Sequence, residues 1–463
     1  MLIDRLKAYT PNALPMHMPG HKRNIRLADY LAQLPTDIDI TEIFGFDDLH
    51  APEGVLRDSM RLASRLWGSD ESVYLVNGST CGILAAVYAL GFGGGEAVVA
   101  RNCHKSVYHA LEITGVTPRF VMPAYDPSLD AFGRLSPKAV EAALARTPNA
   151  RFVLLTSPTY EGIISDVREI ARVSHARGVP VIVDEAHGAH LGLHGVFPRG
   201  AVQSGADIVI QSLHKTLPSL TQTAILHRSG SLVDRAAILH ALDVFETSSP
   251  SYPLLASIDG CVRLMTDKGA RLLSAWKQNL HFFYENTANL STLQILNRQD
   301  ADPGKIVINT AQTDITGFQL MRILRESYAI ELEMAMPAYA LAMTGMGDTR
   351  ESINKLQSAL REIDNLLQKK QTRFCAHSES LSLPKTVLTP KEALNLAFEY
   401  VPLPDSEGRV SADYAWAYPP GIPMLVPGEQ IPSDFTARWS NLRKSGAKTI
   451  LTGECTERIR VLK

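Results

Sequence analysis

Between Gly54 and Ser229 the chain repeats one pattern: a short run of consecutive apolar residues, then a segment with apolar residues at helical spacing. The runs Val73-Tyr74-Leu75-Val76, Ala97-Val98-Val99-Ala100, Phe152-Val153-Leu154-Leu155, Val181-Ile182-Val183, Asp207-Ile208-Val209-Ile210 and Ala224-Ile225-Leu226 are too short for helices and offer almost no polar face. A strand that is apolar on both sides must be covered on both sides, and helices do this in a parallel sheet. Val55 to Trp67 and Thr80 to Leu90 supply helices, as does the stretch opened by Ser136-Pro137, with Ser as cap and Pro at the first helical position. The spacing predicts an α/β doubly wound domain with a mainly parallel sheet.

The flanks read differently. Before Gly54 the chain is irregular, with one short helix and the acids Asp37, Asp39, Glu42, Asp47 and Asp48. Beyond Asp259 it turns helix-rich, with a strand at Lys305-Ile306-Val307-Ile308 and an amphipathic helix from Glu351 to Lys370. Gln371 to Pro390 reads as a linker, and the Pro/Gly density of Tyr418 to Pro423 argues against regular structure there. These shifts divide the 463 residues into an N-terminal arm (1–53), a large domain (54–270), linker helices with a small α/β domain (271–375) and a C-terminal domain (376–463). The smaller parts are expected to be α+β. Lys+Arg number 46 and Asp+Glu 48, so no bulk charge draws the chain to nucleic acid or anionic lipid. Five cysteines without a Cys-x-x-Cys pair suggest neither a disulfide framework nor a zinc site, and point to a reducing, cytoplasmic setting. The first residues carry interspersed charges rather than a secretory signal, and no apolar run approaches the ~20 residues that span a bilayer.

Three short segments could carry chemistry. Asn77-Gly78-Ser79-Thr80 lies between a strand and a helix, where small residues, free N–H groups and the helix dipole favour an anion. Asp184-Glu185-Ala186-His187 follows an apolar strand. A DEAH-type ATPase reading fails because no G-x-x-x-x-G-K-[ST] loop precedes it. Ser212-Leu213-His214-Lys215 follows a later strand and places an amine at its end, flanked by two groups able to meet a phosphate. An anion loop, then an acid at a strand end, then a lysine at another strand end is the order that pyridoxal 5′-phosphate requires: phosphate site, partner for the pyridine nitrogen, covalent anchor. The histidines His187, His190 and His194 sit in a Gly-rich stretch whose mixed spacing argues against a metal site.

With these segments, Met18-Pro19-Gly20-His21-Lys22, Arg101-Asn102-Cys103-His104-Lys105-Ser106, Ser157-Pro158-Thr159-Tyr160-Glu161-Gly162, Ser249-Pro250-Ser251-Tyr252-Pro253 and Tyr418-Pro419-Pro420-Gly421-Ile422-Pro423 occur in order. The whole set resembles the fold-type-I ornithine/lysine/arginine decarboxylases over nearly the entire chain. The resemblance implies pyridoxal 5′-phosphate as cofactor and loss of carbon dioxide from a basic amino acid, arginine before lysine and lysine before ornithine, feeding polyamine metabolism. It implies that Lys215 anchors the cofactor, Asp184 pairs with its ring nitrogen, and His104 stacks on the ring. Gly78, Ser79, Thr80, Ser212 and His214 would hold the phosphate, and His187 would lie beside the ring and the substrate carboxylate. It further implies a homodimer with shared sites, possibly a dimer of dimers, in which Thr247 to Ser249 reaches the partner's site. The wing domain of the large members is expected to be missing, since the Pro-Gly-His-Lys motif begins at residue 19.

A basic substrate side chain asks for a carboxylate, and Glu42, Asp47, Asp48, Glu53 and Glu429 are the candidates. Three other readings compete. An aminotransferase or retro-aldol lyase would use the same loop, aspartate and lysine. A nucleic-acid ATPase lacks its phosphate loop. A non-catalytic relative would not need Lys215 and Asp184 intact.

Overall fold

The structure is a computed structural model that describes residues 1–127, 131–370, 383–418, 422–444, 446–453 and 457–463. It divides into two compact units, each assembled from two stretches of chain.

The first unit comprises Met1–Leu90 and Pro180–Ser274. Its strands lie in the order Glu71–Leu75, Ala224–Arg228, Ile208–Ser212, Val181–Asp184. Val181–Asp184 and Ile208–Ser212 are parallel and completely buried, as their unbroken apolar sequence requires. Ala224–Arg228 departs from the parallel expectation and runs antiparallel to both its neighbours. The reason lies in the connection. A parallel return needs a crossover of a dozen or more residues, and the stretch from Leu213 to Thr223 is too short to provide one. The register then fixes an edge: Leu75 and Ser212 both face Ala224 from opposite sides, and Asp184 pairs with Ile210. Three strands therefore end at one rim.

The helix Val55–Trp67 matches its predicted span. Its N-terminus is held by the Asp47 carboxylate, which accepts from the backbone amides of Glu53, Gly54 and Leu56. The helix Gly78–Gly91 starts at the rim after Leu75. It approaches the strands closely because residue 82 has no side chain: a Cβ there would stand 2.7 Å from Leu75 Cδ1 and 3.0 Å from Ile210 Cγ2.

The second unit comprises Gly91–Val179 and Ala275–Lys463. Three parallel strands lie in the order Ala150–Thr156, Glu96–Ala100, Thr117–Val121. Pro118 sits in the last of these, where a missing N–H costs no ladder bond on the outer side. Pro137 opens its helix as expected, although Ser136 makes no side-chain capping bond. The predicted strand is present as Lys305–Asn309, inside a four-stranded antiparallel sheet, and the long amphipathic helix spans Arg350–Leu366. Much of the expected linker, 371–382, lies outside the described residues. Tyr418 to Pro423 corrects an expectation. Ala415–Tyr418 and Ile422–Leu425 are antiparallel strands on either side of the undescribed 419–421. Pro423 is accommodated because its strand is the outer one of three and the register shifts beside it.

Candidate active site

The rim of the first unit gathers most of the residues singled out from sequence. Gly78 begins its helix at φ +76°, a conformation that favours glycine, and Ser79 and Thr80 occupy the first helical turn. The free N–H groups of that turn and the positive end of the helix dipole make an anion site. Val76, just before the turn, is held by Gln222, whose Nε2 donates to its carbonyl at 2.6 Å.

Asp184 closes its strand and is buried, with Oδ1 accepting from the Ala186 amide at 3.1 Å. Burial pushes its carboxyl above the usual range, while the Lys215 charge and the Ala186 amide pull the other way. Lys215 sits on the single turn Leu213–Thr216 after the next strand, its Nζ 2.9 Å from His187 Nε2. An ammonium only donates, so against it His187 Nε2 accepts and the ring proton is on Nδ1.

Ser212 Oγ and Thr216 Oγ1 are buried at the same turn without a hydrogen-bond partner among the described residues. A buried hydroxyl without a partner costs about 1–3 kcal/mol, so these atoms are suited to a group that arrives from outside. His214 Nδ1 bonds the Thr223 carbonyl at 3.0 Å, which makes Nδ1 the protonated nitrogen and leaves Nε2 for another partner. Burial holds its ring below the ordinary histidine range. Its Nε2 would donate to an anion only once the ring took up a proton.

These residues fit pyridoxal 5′-phosphate: a lysine amine, a buried carboxylate, a helix start able to hold an anion, and a serine hydroxyl without a partner among the described residues, all on one rim. His104 lies in the second unit. It caps the helix Lys105–Thr114, with Nδ1 accepting from the Ser106 amide and 2.9 Å from Ser106 Oγ. His190 packs edge-on against Phe197 and His194 bonds the Met265 carbonyl, so both have structural partners.

Several candidate substrate acids prove to have other work. Asp47 caps a helix, and Asp48 accepts from the His50 amide. Glu42 accepts from Thr41 Oγ1. Glu429 is buried against Arg101 Nη2 at 3.0 Å, and the guanidinium is flanked by the rings of Tyr108 and Phe120. Glu53 remains exposed.

Sequence reasoning missed two groups. Glu246 contacts Cys81, one residue beyond the anion loop. Behind the rim runs a buried chain in which Ser72 Oγ meets His227 Nδ1, His227 Nε2 meets Gln211 Oε1, and Gln211 Nε2 donates to Glu185 Oε2. Only a polar residue inside each apolar strand marked this chain in advance.

The family model described as Orn/Lys/Arg decarboxylase, major domain, matches residues 12–301, and that of the C-terminal domain matches residues 369–446. An arginine decarboxylase of Halalkalibacterium halodurans is 33% identical over 436 residues, covering 91% of this chain and 88% of that protein. One from Bacillus subtilis is 32% identical over 431 residues, covering 90% and 87%. In fold, the lysine decarboxylase of Francisella novicida superposes with a TM-score of 0.81 at 19% identity, covering 100% of this chain and 81% of that one. The rim of strand ends, the order of its motifs and these matches agree: the chain belongs to the Orn/Lys/Arg decarboxylase family of amino-acid decarboxylases.

Proposed function

We propose that the chain decarboxylates a basic amino acid, arginine in preference to lysine and ornithine, using pyridoxal 5′-phosphate. The observation that carries this reading is the pairing of Lys215 Nζ with His187 Nε2 at 2.9 Å, on the rim that also holds buried Asp184. When bound, the cofactor supplies an electron sink for the pair left as the Cα–carboxylate bond breaks. Lys215 Nζ would hold it covalently, at a place the substrate amine can take. Asp184, buried and acidic, keeps a proton on the ring nitrogen, because a buried carboxylate is stable only beside a positive partner. Lys215 Nζ and His187 Nε2 hold one proton between them, and this pair returns it to the substrate Cα after carbon dioxide has left. Gly78, Ser79, Thr80 and Ser212 grip the phosphate, joined by His214 in its protonated form. The stacking role implied for His104 is carried forward as part of this proposal.

The arginine preference is supported by the names of the two relatives above, at 32–33% identity. We also propose a homodimer. Between Leu14 and Phe44 the arm exposes Leu14, Met16, Leu27, Tyr30 and Phe44, an apolar surface that a second copy would cover. Among the described residues, no helix is long and apolar enough to cross a membrane.

The decisive experiment incubates the purified protein and pyridoxal 5′-phosphate separately with arginine, lysine and ornithine. Agmatine and carbon dioxide from arginine, in equal amounts and without a keto-acid acceptor, is the expected result. Amine formation only in the presence of a keto acid would replace decarboxylation with transamination.

A further inference from the structure

The turn Asn77–Thr80 is gripped from behind by a side chain with no part in the chemistry above. Glu246 follows the helix Arg235–Phe245 and is 8% exposed. Its Oε2 accepts from Cys81 Sγ at 3.3 Å. Val76 is the last residue before the turn, and Cys81 lies in the first helical turn after it. One carboxyl group therefore holds the helical turn that carries Gly78, Ser79 and Thr80.

The surroundings make this grip specific. His50 approaches from the arm, with Nε2 on the Thr247 carbonyl at 2.9 Å and Nδ1 3.5 Å from Asp243. Burial pushes the Glu246 carboxyl above its usual range, and the Cys81 contact pulls the other way. At the strand end before the turn, Gln222 Nε2 holds the Val76 carbonyl at 2.6 Å. A buried carboxyl costs free energy unless it is bonded, so an apolar side chain would fill this space at less cost. What an apolar residue could not do is accept from the helix start.

We infer that Glu246 is a positioning residue that holds the Asn77–Thr80 turn in the shape that receives the cofactor phosphate. The inference rests on the pyridoxal 5′-phosphate reading above. It makes the phosphate grip depend on an acid well outside the loop in sequence, and it gives Cys81 a task as the donor through which Glu246 holds the helix.

The test compares pyridoxal 5′-phosphate with pyridoxal, which lacks the phosphate. Each is titrated into wild type, E246A, E246Q and C81A, and binding is followed by cofactor absorbance and by quenching of intrinsic fluorescence, with no turnover required. E246A is expected to weaken the phosphorylated form about tenfold, the scale of one lost charged hydrogen bond, with pyridoxal affinity unchanged. E246Q, which keeps one accepting oxygen, falls between wild type and E246A, and C81A shows a smaller loss of the same selective kind. Wild-type affinity of E246A for the phosphorylated form overturns the inference, as does an equal loss for both compounds. If E246A does not fold, E246Q and C81A carry the same comparison, and the inference fails if neither shows a phosphate-selective loss. A wild-type protein that binds neither compound removes the cofactor reading, and this inference with it.

Discussion

On the proposed reading Lys215 and Asp184 would act on different parts of one cofactor, so experiment separates them. Lys215→Ala is expected to abolish the bound-cofactor absorbance near the visible edge together with turnover; an unchanged spectrum would refute the anchor. Asp184→Asn keeps an isosteric side chain, so the cofactor should still bind while turnover falls by roughly a hundredfold or more, the scale of losing one preorganised charge contact. Near-wild-type turnover would contradict the protonated-ring argument. Glu429 tests a different point. Its partner Arg101 is 3% exposed and Glu429 itself 1%, so Glu429→Ala leaves an uncompensated buried guanidinium and should cost about 3–5 kcal/mol of stability. The KM for a basic amino acid should stay put, since this carboxylate already has its cation. A KM raised tenfold at unchanged melting temperature would return Glu429 to the list of substrate acids. Which residues meet at the rim was legible in the order of the motifs, but their hydrogen-bond partners were not. Nothing local to Asp47 or Glu429 announces that one caps a helix and the other neutralises an arginine far away in the chain.

Among the elements, those with an unbroken apolar run or a clean helical period were read correctly, because the pattern and the burial that enforces it have the same period. Strand direction was not, since polarity belongs to the connection rather than to the strand: Ala224–Arg228 looks like its parallel neighbours and is reversed by a short return. The strands around Pro423 were missed because proline was weighed as a breaker, when at the outer edge of a sheet it is tolerated. The anion loop owes its position to the close contact at Gly82. Gly82→Val would drive a branched side chain into Leu75 and Ile210. We expect a loss of about 1–3 kcal/mol from overpacking and a parallel loss of cofactor affinity, read by thermal melting and by titration. A variant that melts lower yet binds the cofactor as wild type would show that the helix start is positioned independently of its packing.

Across the whole molecule, the buried chain from Ser72 to Glu185 should leave its mark on stability against pH. Burial holds the His227 ring down at about 3 against an ordinary 6.5, and pushes the Glu185 carboxyl up to about 8 from 4.5. A depressed histidine stabilises the fold above pH ~6.5 and loses that contribution as pH falls toward 3. A raised glutamate stabilises below ~4.5 and loses its contribution as pH rises toward 8. Between about 4.5 and 6.5 the two slopes, each near 1.4 kcal/mol per pH unit, oppose one another. Removing the ring with His227→Gln should therefore unbalance the pair. The stability of wild type minus variant, from melting curves across pH 4–8, should climb up to about pH 6.5 and level off above it. A difference that is flat throughout would show that His227 titrates normally in the folded protein. The interleaving of the first unit has a consequence for how the protein is made. Residues 1–90 and 180–274 complete one unit, so the first stretch leaves the ribosome without the strands it pairs with. Synthesis at ~5–20 residues per second leaves a wait of several seconds to half a minute before Lys215 and its rim emerge. Throughout that interval Glu71–Leu75 is an unpaired apolar edge, the stage of the protein's life at which a chaperone has most to protect.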